Sequence, residues 1–105
     1  MTNSQHDEIA EGLAKKFRTK YNRGKGPDIP GRNVVIEVET AANGVKDALR
    51  QLSGFKKSRY IALPKKETGA AKTRTKGLKV GIMDQHGNVV KPAKRPGPGR
   101  AQRRR

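Results

Sequence analysis

One stretch, Pro27-Asp28-Ile29-Pro30-Gly31-Arg32-Asn33-Val34-Val35-Ile36-Glu37-Val38-Glu39, constrains this chain more than any other. Val34, Ile36 and Val38 alternate with Val35, Glu37 and Glu39, which is the period of a half-buried strand. Pro30 to Asn33 reads as a tight connection, and Asp28-Ile29 as the antiparallel arm that precedes it. With Ile29 paired to Val34, Asp28 lies opposite Val35, on the Glu37/Glu39 face. Asp28 and Glu37 are then diagonal neighbours, with Cα atoms roughly 7–8 Å apart. A slip of one residue would carry Asp28 to the other face.

Three acids on one face repel one another unless a cation or a proton sits among them. The chain carries 25 Lys and Arg against 9 Asp and Glu, a net charge of +16, so such clustering runs against its composition. Each acid has an ordinary reading as well. Alternation alone makes Glu37 and Glu39 the wet face of a strand, and an Asp after proline is commonly a turn residue. Taken together they read as a metal site, with hard oxygen ligands suited to Mg²⁺ or Mn²⁺. The surplus of positive charge points to nucleic acid as partner.

Other chemistries have little support. The chain has no cysteine, so a disulfide framework and a thiolate zinc site are both out. His6 and His86 read as surface residues, and neither a P-loop nor a nucleophile-elbow serine is present. No run approaches the roughly 20 apolar residues that span a bilayer. Met1 to Glu8 has no apolar core of a secretory leader, so a cytoplasmic protein is expected, nucleoid-associated in a prokaryote.

The remaining elements follow from periodicity. Ser4 to Tyr21 reads as an amphipathic helix, with Ile9, Leu13, Phe17 and Tyr21 in one stripe. Asn43 is placed to cap a second helix that runs to about Ser53, stopped by Gly54. Tyr60 to Leu63 is a buried strand ended by Pro64, and Lys65 to Lys76 a loose helix interrupted by Gly69. Leu78, Val80 and Ile82 alternate, and a turn at Asp84–Asn88 leads to Val89-Val90. The expected fold is α/β, a mixed sheet flanked by helices and closed by a C-terminal hairpin, over residues 1–90. Residues 91–105 hold seven Lys and Arg, three Pro and no acid, and read as a disordered basic arm. Lys25, Lys56, Lys57, Lys94, Arg95, Arg100, Arg103, Arg104 and Arg105 are the candidate phosphate contacts.

This order of elements resembles the restriction-endonuclease-like superfamily of PD-(D/E)xK nucleases, which includes archaeal Holliday-junction resolvases. The residues that carry it are Pro27-Asp28, Ile36-Glu37-Val38-Glu39, Gln51-Leu52 on the second helix and the strand Tyr60-Ile61-Ala62-Leu63. It covers roughly Glu8 to Leu63. The resemblance implies a restriction-endonuclease-like core and magnesium-dependent hydrolysis of DNA phosphodiesters, with Asp28 and Glu37 as metal ligands. Glu39 stands where the family usually has lysine, as a further ligand or a water-orienting base. Lys46 would supply a migrated catalytic lysine. Glu8 or Glu11 would match a first-helix glutamate of some members, and Gln51 would support the site. The family commonly has three strands between these helices where two are visible, and a short strand near Arg23–Lys25 would complete the set. A symmetric dimer would suit the cutting of two strands. The alternative reading is a non-catalytic basic nucleic-acid-binding protein, including an inactive descendant of such a nuclease, in which the acids are structural.

Overall fold

A computed structural model describes residues 5–22 and 27–94. Its elements, in chain order, are α1 (Gln5–Lys16), β1 (Ile29–Pro30), β2 (Val34–Val38), a 3₁₀ turn (Ala42–Gly44), α2 (Val45–Leu52), β3 (Ser58–Leu63), α3 (Lys65–Arg74), β4 (Gly81–Asp84) and β5 (Val89–Lys91). The strands form one open mixed sheet in the order β1-β2-β3-β4-β5. The outer pairs β1–β2 and β4–β5 are antiparallel, and the inner pairs β2–β3 and β3–β4 are parallel. A parallel pair needs a crossover, and α2 and α3 supply the two required here.

Alternation along the strands sorts the apolar side chains into two cores. Ile36 and Val38 of β2, Ala62 of β3 and Met83 of β4 pack under Ile9, Ala10, Leu13 and Ala14 of α1. Val35, Ile61, Leu63 and Ile82 face the other way, against Val45, Ala48 and Leu52 of α2 and Ala71 of α3. The fold is therefore α/β, with α1 on one face of the sheet and α2 with α3 on the other. No helix among the described residues is long and apolar enough to cross a membrane.

Several elements depart from the expected bounds. Helix α1 stops at Lys16 because Arg18 takes a left-handed conformation, φ 57°. Thr19 N–H then donates to the Ala14 carbonyl at 2.9 Å and Arg18 N–H to that of Lys15 at 3.2 Å, closing the helix end as a Schellman motif does. Tyr21 thus leaves the helical stripe, and the chain doubles back to reach β1, with Asn22 N–H on the Asp28 carbonyl at 2.8 Å. Asn43 makes no cap for α2: the helix is preceded by the 3₁₀ turn and has no side-chain cap bond at Gly44. Helix α3 runs unbroken through Gly69. Leu78 falls outside β4 and is 45% exposed. The expected helix start at Ser4, the strand near Arg23–Lys25 and the phosphate contacts Lys25, Arg95, Arg100 and Arg103 to Arg105 lie outside the described residues.

The folded body also continues past residue 90. Lys91, in β5, turns its ammonium inward onto three carbonyls, those of Thr75 at 2.6 Å, Val80 at 2.8 Å and Leu78 at 3.0 Å. Burial, and then the charge of Lys94, draw its pKa below the usual lysine range. Ala93 N–H donates to the Tyr60 hydroxyl at 3.1 Å, and Lys94 N–H to the Lys79 carbonyl at 2.8 Å. Residues 91–94, expected in the arm, therefore belong to the fold. Gly81 makes this seating possible: a Cβ there would come within 2.5 Å of the Tyr60 ring and 2.6 Å of both Lys91 O and Ala93 N.

Gly81→Ala is expected to lower stability by about 1–3 kcal/mol, since two of the three obstructing atoms are backbone. Gly69→Ala, whose new methyl meets nothing within 4 Å, is expected to raise it by about 0.5–1 kcal/mol through helix propensity. Thermal unfolding reads both. An unchanged melting temperature for Gly81→Ala would show that residues 91–94 do not sit against β4.

Candidate functional site

Two of the three hairpin acids, Asp28 and Glu37, meet where β1 runs out, and Glu39 acts on Glu37 through its charge. The register pairs Ile29 with Ile36 and Pro30 with Val35, two residues away from the expected pairing. A shift of two keeps each side chain on its face, so Asp28 stays with Glu37 but stands directly across from it instead of diagonally. Beyond Ile29 the ladder is continued by side chains. Asp28 N–H donates to Glu37 Oε1 at 2.8 Å, and Val38 N–H donates to Asp28 Oδ2 at 3.0 Å. Each carboxylate accepts a main-chain donor of the opposite strand.

Glu39 follows directly after β2 and keeps one more strand bond, its N–H on the Ala62 carbonyl at 2.9 Å. Its carboxylate lies against Gly44 at the start of α2, in space that a side chain at Gly44 would take: a Cβ there would collide with Glu39 Oε1. No hydrogen bond holds this carboxylate among the described residues.

From the other face of the sheet, α1 brings a residue for which no role was expected. His6 Nε2 stands 3.0 Å from Asp28 Oδ2, and its Nδ1 stands 3.0 Å from the Tyr21 hydroxyl. Tyr21 in turn donates to Asp7 Oδ1 at 2.7 Å. A phenol has one proton to give, so with Tyr21 serving Asp7 its oxygen is left to accept from His6 Nδ1. His6 precedes Ile9, Ala10 and Leu13 by three, four and seven residues, so it lies on the apolar stripe of α1. That spacing was the available signal.

Electrostatics set the cluster apart from an ordinary strand face. Glu37 is 7% exposed, far from the wet position that alternation alone would give it. Burial pushes its carboxyl up to about 8; the Asp28 N–H works against this, while the charge of Asp28, a side-chain hydrogen bond with Asp28 and the charge of Glu39 reinforce it. Glu39 is pushed up to about 7, first by burial, with His6 opposing and Asp28 and Asp47 adding to the rise. Asp84 is the contrasting case. Burial would raise it too, but the Asn88 and His86 N–H groups at 3.0 and 2.9 Å and the Asn88 side chain at 3.1 Å hold it low, as the anchor of a turn.

The other expected residues lie elsewhere. Lys46 is exposed on α2 beside Leu49 and Arg74, with no hydrogen bond or ion pair to the acids among the described residues. Gln51 is exposed on the same helix. Glu8 is exposed on α1, about 200° around the axis from His6, and lines a depression with Gln85 and His86. Lys57 is half-buried, with its ammonium on the Gly31 carbonyl at 2.9 Å, and supports the hairpin turn. Lys56 and Lys94 are exposed.

Three carboxylates suit a hard divalent cation by the chemistry of their donors. Among the described residues, however, no group of three or more His, Asp or Glu side chains is arranged so that it could hold a metal ion. Asp28 and Glu37, already adjacent, are the pair that would hold an ion first. Comparison of the chain with protein-family models, with curated proteins and with solved structures found no match.

Glu37 supplies a pH-dependent prediction. Its folded-state pKa of about 8 lies above the ordinary 4.5, so the folded form keeps a proton that the unfolded chain releases. The associated stability is complete below pH 4.5 and is lost as pH climbs to about 8. Glu37→Gln never ionises. Its melting temperature is expected to match wild type near pH 4.5 and to exceed it by roughly 5 °C or more above about pH 8 in the absence of divalent ions. A difference that is constant across this range would rule out a protonated Glu37.

Proposed function

We propose that this chain is a metal-dependent nuclease acting on DNA, in which Asp28 and Glu37 hold Mg²⁺ or Mn²⁺ and Glu39 is a further ligand or orients water. The observation that carries the reading is the burial of Glu37 next to Asp28, at a cost that pushes its carboxyl up to about 8. Finishing the hairpin ladder needs an acceptor but no charge, and Gln would serve as well as Glu. A buried carboxyl where an amide would complete the ladder is a group that an arriving cation can ionise in exchange for its proton. The order of α1, hairpin, α2 and β3, with the acids toward the carboxyl end of β2, supports the resemblance to PD-(D/E)xK nucleases.

A bound divalent ion would stabilise charge on the phosphate oxygens and supply an acidified water. The chain's own residues do the rest. Asp28 and Glu37 are held by main-chain N–H groups at 3.0 and 2.8 Å, so their carboxylates are oriented before any ligand arrives. His6 fixes Asp28 from α1. Glu39, without a hydrogen-bond partner among the described residues, is free to turn toward water or ion.

A specific observation favours the second reading, a non-catalytic binder of nucleic acid: both Asp28 and Glu37 serve the backbone. The two readings separate on cleavage of supercoiled and branched DNA with Mg²⁺ or Mn²⁺. Asp28→Asn and Glu37→Gln are each expected to lose more than about 100-fold in rate, beyond what residues around a metal site typically contribute. Mg²⁺ is expected to raise the melting temperature of wild type near pH 8 and not that of Asp28→Asn. Gly44→Ala removes no acid from the sequence but displaces the Glu39 carboxylate, and is expected to cut more slowly while staying folded. If the chain cuts DNA and both acid variants cut as well as wild type, the site assignment fails. If wild type does not cut and Mg²⁺ leaves the Asp28, Glu37 and Glu39 resonances unmoved while DNA still binds, the second reading stands.

A further inference from the structure

Charge is divided unevenly along this chain. Residues 41–94 hold thirteen Lys and Arg and three acids, Asp47, Glu67 and Asp84. Two of those acids face inward: Glu67 Oε1 accepts the Ala42 N–H at 2.9 Å, and Asp84 anchors its own turn. Asp47 is exposed on α2, 3.5 Å from Arg50, so the α2–α3 side of the sheet carries one exposed acid among an excess of cations.

Two adjoining depressions cross that side. One, of about 300 Å³, is lined by Lys46, Arg74 and Leu49, together with Val45. The other, of about 350 Å³, shares Leu49 and continues past Arg59, Leu78 and Lys79 toward the loop before β4. Every charged residue that lines either one is a cation. The floor is aliphatic, and Leu78 is 45% exposed there. Arg59 Nε is buried without any hydrogen-bond partner among the described residues, a donor left unsatisfied in the groove wall.

The groove also has a direction. It begins at Val45 and Lys46, immediately after Gly44, against which the Glu39 carboxylate lies. It runs along α2, which is about 12 Å long at 1.5 Å per residue. The groove and the Glu39 carboxylate thus both border the start of α2.

We propose that this groove is a track for single-stranded nucleic acid, with Lys46, Arg74, Arg59 and Lys79 on successive phosphates and a sugar or base edge on Leu49 and Leu78. A duplex keeps its bases stacked inside and offers nothing to the aliphatic floor, whereas an unpaired strand presents both surfaces. The inference rests on the nucleic-acid part of the reading above and not on hydrolysis.

Binding without a divalent ion keeps the two questions apart. The full chain is titrated, in EDTA, into a fluorescein-labelled oligothymidylate of about 12 nucleotides over a range of salt. Lys46→Gln/Arg74→Gln and Arg59→Gln/Lys79→Gln are compared with Lys15→Gln/Lys20→Gln, which removes equal charge from the α1 side. Each groove pair is expected to make the log–log salt slope shallower by about 1.4, two phosphates at about 0.7 each. Affinity should fall by about tenfold or more, and the α1-side pair should change it much less. Lys79→Gln alone, at an exposed position, is expected to remove about half the slope change, so the test does not depend on the fold tolerating Arg59→Gln. Equal losses for all three pairs would overturn the track in favour of diffuse charge. So would a groove that discriminates only for a duplex or an acidic peptide of similar length. Failure to cut DNA would leave this result unaffected.

Discussion

The hairpin ladder of this protein ends on two side chains. Among the described residues no strand pairs with β2 past Ile29, and the carboxylates of Asp28 and Glu37 take N–H groups that a longer ladder would have paired. A buried N–H without a partner costs about 1–3 kcal/mol, so this exchange fixes the position of Asp28. Much else is aligned from it. His6 ties the first turn of α1 to Asp28, Tyr21 ties the returning chain to His6 and Asp7, and Val38 is oriented so that Glu39 comes to rest on Gly44. The two helices that begin near this edge, α1 and α2, are thereby set on opposite sides of one acidic cluster.

The same arrangement holds two demands in tension. Backbone satisfaction needs oxygen acceptors, and burial opposes their charge. The chain meets the first with carboxylates and answers the second only in part, with His6 on one side. Glu37 and Glu39 remain well above the ordinary carboxylate range. Asp84 shows that the chain can bury an acid without this difficulty, by giving it three donors within its own turn. The contrast between the two ends of the sheet is therefore one of design in donor number, and the acidic cluster is the end that is short of donors.

Much of the architecture was legible because it depends on parity. Alternation over Val34–Val38 places Val35 and Ile36 in different cores whatever the pairing partner, so a register two residues away from the expected one left the acids on the right face. The apolar run Tyr60–Leu63 reads as a central strand for the same physical reason, being covered on both sides. What could not be read depended on contacts distant in sequence or on backbone angles with no residue signal. Arg18 ends α1 in a conformation that glycine usually announces, so Tyr21 was counted on the helix. His6 draws its role from Asp28, twenty-two residues on. Lys91 sits in a run of basic residues that looks solvated, and only the folding of 75–80 around it supplies three carbonyls.

The bond from Lys94 N–H to the Lys79 carbonyl matters for what comes after it. Lys79 is a wall of the α2–α3 groove, and the next residue of the chain is Arg95, the first of five arginines in the last eleven positions. On the proposed reading of that groove, further positive charge follows in sequence directly after a residue bonded to one of its walls. Holds linked along one chain reinforce each other through local concentration, and avidity can exceed either affinity with no additional contact. A groove and a basic run joined in this way would then act on a polyanion as one binder of two parts.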